Sequence, residues 1–130
     1  MIREGGCLCG AVRFKTEGEP LNVRLCHCSR CQKATAAPFF ARALFDKRAL
    51  TIDGELASFP SSERIARVFC PRCGTRLFAW RRNGGTMAGV SLAAFDDRNA
   101  FKPTEHIWVS DKVDWVHLDD GLPQYPEAAP

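Results

Sequence analysis

Cys70-Pro71-Arg72-Cys73-Gly74 is the most informative stretch of this chain. Two cysteines separated by two residues can turn both thiolates toward one metal ion, and Gly74 can take the strained dihedral angle where the chain leaves the turn. A second pair, Cys7-Leu8-Cys9, stands near the start. Residues i and i+2 of an extended strand point to the same face, so both sulfurs can reach one metal. Together the two pairs predict a tetrahedral four-sulfur site on Cys7, Cys9, Cys70 and Cys73, with Zn–S bonds of about 2.3 Å.

The third cluster, Cys26-His27-Cys28-Ser29-Arg30-Cys31, brings the total to seven cysteines. Seven is one short of two complete four-cysteine sites. A structural zinc takes four protein ligands, whereas a catalytic zinc keeps three and leaves a position open. The count therefore predicts one structural site and one reactive site on Cys26, Cys28 and Cys31. An incoming thiol would lose its proton on binding such a metal.

The sequence is also compatible with other interpretations of the third cluster. His27 or another side chain could complete a purely structural site. However, His27 has the opposite strand parity to Cys26 and Cys28, so we expect it to point away as a packed or hydrogen-bonded histidine. For His106 and His117 we favour core or surface positions over catalysis. Thiolates also bind iron, which is the alternative metal.

Composition places further bounds on the chain. Its 130 residues suit one domain spanning residues 1–130. The net charge of +3 is too small to predict a nucleic-acid partner. No apolar run reaches the roughly 18 residues of a membrane span, and the first residues lack the apolar core of a signal peptide. We therefore expect a cytoplasmic protein with reduced thiols, and the odd cysteine count also argues against a disulfide scaffold.

The apolar pattern predicts an all-β fold. Apolar residues alternate with polar ones in several short runs, as at Leu21, Val23 and Leu25. Two hairpins are predicted, one at Asp53-Gly54 and one at Asn83-Gly84-Gly85, because these dipeptides supply the positive φ angles of tight turns.

Three smaller elements complete the prediction. Residues 107–109 and 113–116 are expected to form a last strand pair. Ser29 is expected to cap one short helix running through Ala34, because its hydroxyl can accept a free backbone N–H. The tail from Leu122 to Pro130 contains three prolines and is expected to be an extended arm.

The order of the cysteine clusters resembles that of the glutathione-dependent formaldehyde-activating enzyme family, which also includes the centromere protein V type. The resemblance covers nearly the whole chain. The matching stretches are Gly6 to Val12, Cys26 to Lys33, Phe69 to Thr75, His106 to Val109 and Asp114 to Val116.

This resemblance implies a fold of folded-over antiparallel β-sheets with zinc knuckles, similar to methionine sulfoxide reductase B. It implies a structural Zn²⁺ on Cys7, Cys9, Cys70 and Cys73, and a second, more labile catalytic Zn²⁺ on Cys26, Cys28 and Cys31. It also implies carbon–sulfur lyase chemistry on a glutathione, or other thiol, adduct of a small aldehyde. The named activity joins formaldehyde to glutathione to give S-hydroxymethylglutathione.

The chain departs from the family pattern at one position. The family usually has a glycine a few residues after the third cysteine of the central cluster, where this chain has Ala36. Loss of a glycine restricts the backbone dihedral angles. We therefore expect a change in the shape of this loop, which bears on substrate identity more than on zinc.

Several side chains are candidates for binding a substrate. Arg30, Lys33 and Arg72 stand beside cysteines and could pair with the carboxylates of a glutathione-like thiol, or could simply be solvated charges. The three tryptophans could line a pocket, although core packing is the simpler interpretation for at least two of them; they are Trp80, Trp108 and Trp115.

Two other functional classes remain compatible with the sequence. A zinc-stabilised module could bind another macromolecule without catalysis, in which case a fourth protein ligand would fill the second metal site. A thiol-based redox or zinc-buffering protein would instead release zinc from Cys26, Cys28 and Cys31 upon oxidation.

Overall fold

Ten β-strands and one α-helix make up most of the regular structure of residues 1–130 in a computed structural model of the chain. The strands are β1 (Ile2–Gly6), β2 (Arg13–Glu17), β3 (Asn22–Cys26), β4 (Phe40–Asp46), β5 (Leu50–Asp53), β6 (Ala57–Pro60), β7 (Ile65–Phe69), β8 (Arg76–Arg81), β9 (Met87–Ser91) and β10 (Glu105–Ile107). The helix, α1, spans Ser29–Thr35, and three short 3₁₀ turns cover Lys47–Ala49, Leu92–Ala94 and Val109–Asp111. The predicted β-rich fold is confirmed. No helix is long and apolar enough to cross a membrane.

The strands form two sheets. A three-stranded sheet has the order β1-β2-β5, and a seven-stranded sheet has the order β10-β3-β4-β9-β8-β7-β6. All pairs are antiparallel except β10 with β3, which run parallel. The predicted antiparallel arrangement therefore holds for all but one edge of the larger sheet.

The main core includes residues from both sheets. Phe14 of β2 packs edge-on against Phe78 of β8, with ring centroids 5.4 Å apart. Phe45 and Val90, from neighbouring strands of the larger sheet, are almost fully buried in the same cluster. Alternate residues on these strands point to the opposite face, which therefore remains available for a site.

One predicted hairpin is confirmed and the other is wrong. Strands β8 and β9, joined through Asn83-Gly84-Gly85, pair antiparallel as predicted. Strands β5 and β6, on either side of Asp53-Gly54, do not pair with each other: β5 pairs with β2 and β6 with β7. Asp53-Gly54 therefore leads the chain from one sheet into the other. The dipeptide encodes the turn, but long-range packing chooses the partner strand.

The closing segment also differs from the prediction. Residues 107–109 and 113–116 do not form a strand pair, because β10 adds to β3 and residues 109–111 form a 3₁₀ turn. The tail is extended, as expected, and it lies along β10. The amide of His106 donates to the carbonyl of Pro123, and the amide of Tyr125 donates to the carbonyl of His106, each at 2.9 Å.

The helix α1 is capped by a different residue from the one predicted. Cys28 is the N-cap, and its Sγ accepts a hydrogen bond from the amide of Cys31 at 3.3 Å, so the prediction of Ser29 is wrong. Ser29 is instead the first helical residue. The helix ends at Ala36, which adopts a left-handed conformation with φ 52° and ψ 36°. Alanine thus adopts a conformation that glycine accepts more readily. The replacement of glycine by Ala36 therefore does not prevent the left-handed backbone conformation at this position.

Candidate metal centres and adjoining cavities

The structure brings the first four predicted cysteines together from two distant parts of the chain. Cys7 and Cys9 lie in the turn after β1, rather than on an extended strand as expected. Cys70 and Cys73 lie in the turn between β7 and β8, where Gly74 has φ 79°. All four sulfurs lie within 4.8 Å of one another. This cluster could hold a metal ion that ties the start of the chain to its middle.

The spacing of these sulfurs suits a tetrahedral metal. Bonds of about 2.3 Å in a tetrahedral shell place ligand sulfurs roughly 3.8 Å apart. The Sγ atoms of Cys7 and Cys9 are 3.6 Å apart, and those of Cys9 and Cys70 are 3.8 Å apart. A disulfide would need about 2.05 Å, and all seven cysteines are free. The donor set therefore fits zinc.

Neighbouring backbone and hydroxyl groups lie within hydrogen-bond distance of three sulfurs in this cluster. The amide of Val12 donates to Cys7 Sγ at 3.2 Å, and the amide of Arg72 donates to Cys70 Sγ at 3.4 Å. The hydroxyl of Thr75 lies 3.2 Å from Cys73 Sγ, and this hydrogen bond helps lower the pKa of the Cys73 thiol to about 5. Hydrogen bonds to the charged form of a ligand stabilise it in the state that a metal requires.

The other three cysteines form a separate cluster at the end of β3 and the start of α1. The sulfurs of Cys26, Cys28 and Cys31 lie within 4.8 Å of one another. Cys26 and Cys31 are buried, and Cys28 is half-buried. The helix cap explains this convergence, because the turn that places Cys28 Sγ on the amide of Cys31 also brings Cys31 back toward Cys26.

The three thiols act on one another electrostatically. Hydrogen bonds from the Cys26 and Cys31 thiols lower the pKa of Cys28, and the positive charge of Arg67 acts in the same direction. The hydrogen bond with Cys28 raises the pKa of Cys26 in turn. The contacts of Cys28 therefore favour its thiolate form. A bound metal would replace the remaining protons, since thiolates are the ligand form.

His27 is not close enough to these sulfurs to join the cluster. It is fully buried, and its Nε2 lies 2.9 Å from His106 Nδ1. His106 Nε2 in turn lies 2.7 Å from a carboxylate oxygen of Asp120. The structure thus supports the interpretation of His27 as a hydrogen-bonded histidine. His106 is buried as well, whereas His117 is exposed.

A mainly apolar cavity of about 490 Å³ opens beside the three-cysteine cluster. Cys26 and Cys31 form part of its wall. Trp108 packs against the small cluster around these cysteines and also lines the cavity. Trp80 borders the cavity too, but its ring stacks on Phe78 at the edge of the main core. Trp115 is 68% exposed and borders a different hollow, so it is not part of this site.

A second, basic recess of about 320 Å³ adjoins the first cavity. Its lining residues include four cationic and no acidic side chains; the cations are Arg30, Lys33, Arg67 and Arg76. Arg67 lines both spaces, and its Nη1 donates to Cys31 Sγ at 3.4 Å. Ser61 helps to orient the Arg67 side chain, since its Oγ accepts a hydrogen bond from Arg67 Nε at 3.0 Å.

The structure revises the list of candidate substrate-binding residues. Arg30 and Lys33 line the basic recess, whereas Arg72 is exposed in the turn of the four-cysteine cluster and lines neither space. Sequence reasoning missed Arg67 and Arg76. Arg67 alternates with buried Ala66 and Val68 on β7, so the pattern could place it on the outer face of the sheet. The pattern could not show that Arg67 contacts Cys31 on this face.

Known proteins are similar to this chain in sequence or in fold. The signature of the family described as glutathione-dependent formaldehyde-activating enzyme matches residues 2–111. A Halomonas elongata protein named "Putative glutathione-dependent formaldehyde-activating enzyme" is 30% identical over 129 residues, which cover 92% of this chain and 82% of the relative. A Schizosaccharomyces pombe protein named as an uncharacterized lyase is 28% identical over 111 residues, covering 85% of this chain and 81% of the relative.

A crystal structure of a Rhodobacter sphaeroides protein has a similar fold. It superimposes with a TM-score of 0.55 at 23% identity, covering 94% of this chain and 98% of the other. At this identity the likeness concerns the fold alone.

Proposed function

The chain belongs to the glutathione-dependent formaldehyde-activating enzyme family, and we propose that it is a zinc-dependent carbon–sulfur lyase acting on a thiol adduct of a small aldehyde. Glutathione is the proposed thiol. The observation that carries the proposal is the position of the three-cysteine cluster. Cys26 and Cys31 line the apolar cavity, and Arg67, which donates to Cys31 Sγ, also lines the basic recess. The four-cysteine cluster lines neither space.

The two clusters are proposed to divide the work. Four sulfurs close the coordination shell at Cys7, Cys9, Cys70 and Cys73, so a zinc there would be structural. Three sulfurs at Cys26, Cys28 and Cys31 leave room for one more ligand. A zinc ion held by these three sulfurs would place its positive charge beside an incoming thiol and so stabilise the thiolate form of that thiol.

The basic recess is proposed to hold the carboxylates of glutathione. Arg67 and Arg76 each present a planar guanidinium, the group that suits a carboxylate best. Neither side chain forms a salt bridge within the protein. The Arg67 guanidinium donates to Ser61 and Cys31, and the Arg76 guanidinium lies over the Phe69 ring, 5.0 Å from its centroid. Arg67 also contacts Cys31 Sγ directly, so a carboxylate bound here stays close to the cysteine cluster.

The proposed reaction joins a thiol to a carbonyl carbon without oxidation or reduction. The thiolate sulfur adds to the carbonyl carbon, which forms one carbon–sulfur bond and breaks the carbonyl π bond. The oxygen takes up one proton, which balances the proton that the thiol has lost. The lyase direction is the reverse. The residues of this chain contribute mainly by binding both partners in one place and by excluding water from the apolar side.

Exchange spectroscopy tests this proposal. Glutathione and ¹³C-formaldehyde interconvert with their adduct in solution, and the zinc-loaded protein is expected to raise the NMR exchange rate in proportion to its concentration. The Cys28→Ala variant should lose this acceleration. An exchange rate that the native protein leaves unchanged would contradict the proposal and favour a binding module without catalysis.

A matched pair of arginine variants tests the recess. Arg76→Ala removes a cation from the recess and should weaken glutathione binding about tenfold, as is usual when one charge-assisted hydrogen-bonding group is lost. Arg72→Ala removes an equal charge from the turn of the other cluster and should leave binding unchanged. Equal losses in the two variants would mean that general surface charge, not the recess, attracts the thiol.

A further inference from the structure

The apolar cavity is built into the outer face of the larger sheet by small residues at its centre. Leu44, Gly89, Ala79 and Arg67 are successive cross-strand partners on β4, β9, β8 and β7. The two central residues have the smallest side chains, and the larger ones stand on either side. The row therefore forms a hollow between two walls instead of a filled surface.

Gly89 permits a close approach of a neighbouring side chain there. A Cβ atom at Gly89 would lie 3.0 Å from Cδ of Arg42, which is tighter than ordinary contact. Arg42 therefore lies across the floor of the hollow in close contact with residue 89, and a side chain at that position would displace it by a few tenths of an ångström. Its Nη1 is held by the side-chain oxygen of Asn22 at 2.7 Å, which keeps the guanidinium at the edge of the cavity.

The size of this hollow does not match a one-carbon aldehyde. Its volume of about 490 Å³ falls within the range of roughly 300–1,000 Å³ that is typical of pockets for drug-sized ligands. Its walls are mostly apolar and include Phe40, Ile65 and Ile107, and three arginines, Arg42, Arg67 and Arg81, complete the lining. One formaldehyde molecule is too small to contact the three apolar side chains at once. The polar groups of glutathione have a better site in the basic recess on the other side of Arg67.

We propose that the apolar cavity binds the carbon partner of the thiol, and that this partner is an aldehyde-derived group with an apolar body about the size of a phenyl ring. The inference rests on the proposed function, because it assigns the thiol to the recess and its substituent to the hollow. Arg67 stands between the two halves, next to Cys31, where the sulfur of the adduct would lie. Burial of an apolar group in this hollow provides the selectivity for a larger partner.

Stable S-substituted glutathiones test this inference without turnover. Calorimetry of the zinc-loaded protein with S-methylglutathione and S-benzylglutathione compares a one-carbon with a ring-sized substituent. We expect S-benzylglutathione to bind at least about tenfold more tightly, since each buried methylene-sized group strengthens binding severalfold. Zinc content is measured in the same samples to show that the cluster is loaded.

Two alanine variants locate the effect. Ala79→Leu fills the centre of the hollow and should remove most of the difference between the two ligands, while S-methylglutathione binds as before. Ala93→Leu makes the same change at an exposed position outside the hollow and should preserve the difference. If Ala79→Leu loses zinc or does not fold, Ala79→Val is the smaller change on which the same comparison is made.

The outcomes separate this inference from the proposed function. Equal affinity for the two ligands in the native protein would overturn the inference and leave the glutathione site intact. If S-benzylglutathione still binds more tightly in the Ala79→Leu variant, its substituent lies outside the hollow, and this result would also overturn the inference. Binding of neither ligand would contradict the glutathione site itself, and the proposed function with it.

Discussion

His27 Nε2 lies 2.9 Å from His106 Nδ1, and both rings are buried. The direction of this hydrogen bond follows from the next contact. Asp120 accepts from His106 Nε2, which leaves Nδ1 of a neutral His106 ring as the acceptor for the Nε2–H of His27. Burial lowers the pKa of His27, which keeps that ring neutral. The pair thus fixes the loop between Cys26 and Cys28 to the edge strand β10.

Removal of His106 should destabilise the protein. The change His106→Ala leaves the Nε2–H group of His27 without a partner in a buried position, which costs about 1–3 kcal/mol. Urea unfolding measures the loss. His117→Ala is the matched control, because His117 is exposed and such changes usually stay within about 0.5 kcal/mol. Similar losses in the two variants would show that the buried pair carries no particular weight.

Replacement of Ala36 by glycine should stabilise the protein. Ala36 ends α1 with φ 52°, a left-handed conformation that costs a non-glycine residue roughly 1 kcal/mol. Ala36→Gly should therefore raise the free energy of unfolding by about 0.5–1 kcal/mol, after the entropy of glycine in the unfolded chain is subtracted. Ala37→Gly lacks the positive φ angle and should be neutral or destabilising. A gain at both positions would point to general loop flexibility instead.

The ion pair between Arg13 and Asp96 should contribute a pH-dependent stability. The guanidinium of Arg13 donates to both carboxylate oxygens of Asp96, at 2.9 and 2.6 Å, and this lowers the pKa of Asp96 below its ordinary value of 3.8. Between the folded and unfolded pKa values the unfolded state binds more protons, so the contribution is present above pH 3.8 and disappears as the pH falls through the folded pKa.

Thermal unfolding of Asp96→Asn at several pH values checks this sign. The variant should melt below the native protein at pH 7, and the difference should shrink as the pH falls below about 4. The pair is solvent-exposed, so the effect is expected to be small and sensitive to salt. Asp119→Asn serves as the control, because that exposed side chain makes no hydrogen bond or ion pair. A deficit that grows on acidification would contradict the argument.

The two cysteine clusters should differ in what their loss does to the protein. Cys73→Ala opens the four-sulfur site that ties residues 7–9 to residues 70–73, so insoluble or unfolded protein is expected. Cys28→Ala removes one of three sulfurs beside the cavity and should give folded protein that lacks activity. Circular dichroism and zinc content distinguish the two outcomes. Loss of the fold in both variants would refute the division into a structural and a reactive site.

The sequence predicted the features that short spacing encodes. The individual cysteine motifs, the β-rich fold and the Asn83-Gly84-Gly85 hairpin depend on residues close together in the chain, and all appear in the structure. The meeting of Cys9 with Cys70, 61 positions apart, was predicted because two cysteine pairs complete one tetrahedral shell. The Asp53-Gly54 turn shows the limit of this reasoning, because a turn dipeptide does not specify which strand will pair with which.

The cavities were beyond prediction for the same reason. The contact between Arg67 and Cys31 joins residues 36 positions apart. The hollow at Gly89 and Ala79 arises from the register of neighbouring strands, which the residue pattern alone does not fix. Ser29 was a reasonable cap by residue type, but Cys28 occupies the cap position in the structure.

The central claim is that Cys26, Cys28 and Cys31 hold a zinc ion with one position free for a thiol. X-ray absorption at the zinc edge, on protein purified without chelator, tests it most directly. We predict two zinc ions per chain sharing the seven cysteine sulfurs, and a rise to eight sulfurs when glutathione is added at millimolar concentration. The Cys28→Ala variant should retain one zinc ion with four sulfurs and show no change with glutathione. A native protein whose sulfur count and zinc content do not change with glutathione would contradict the claim.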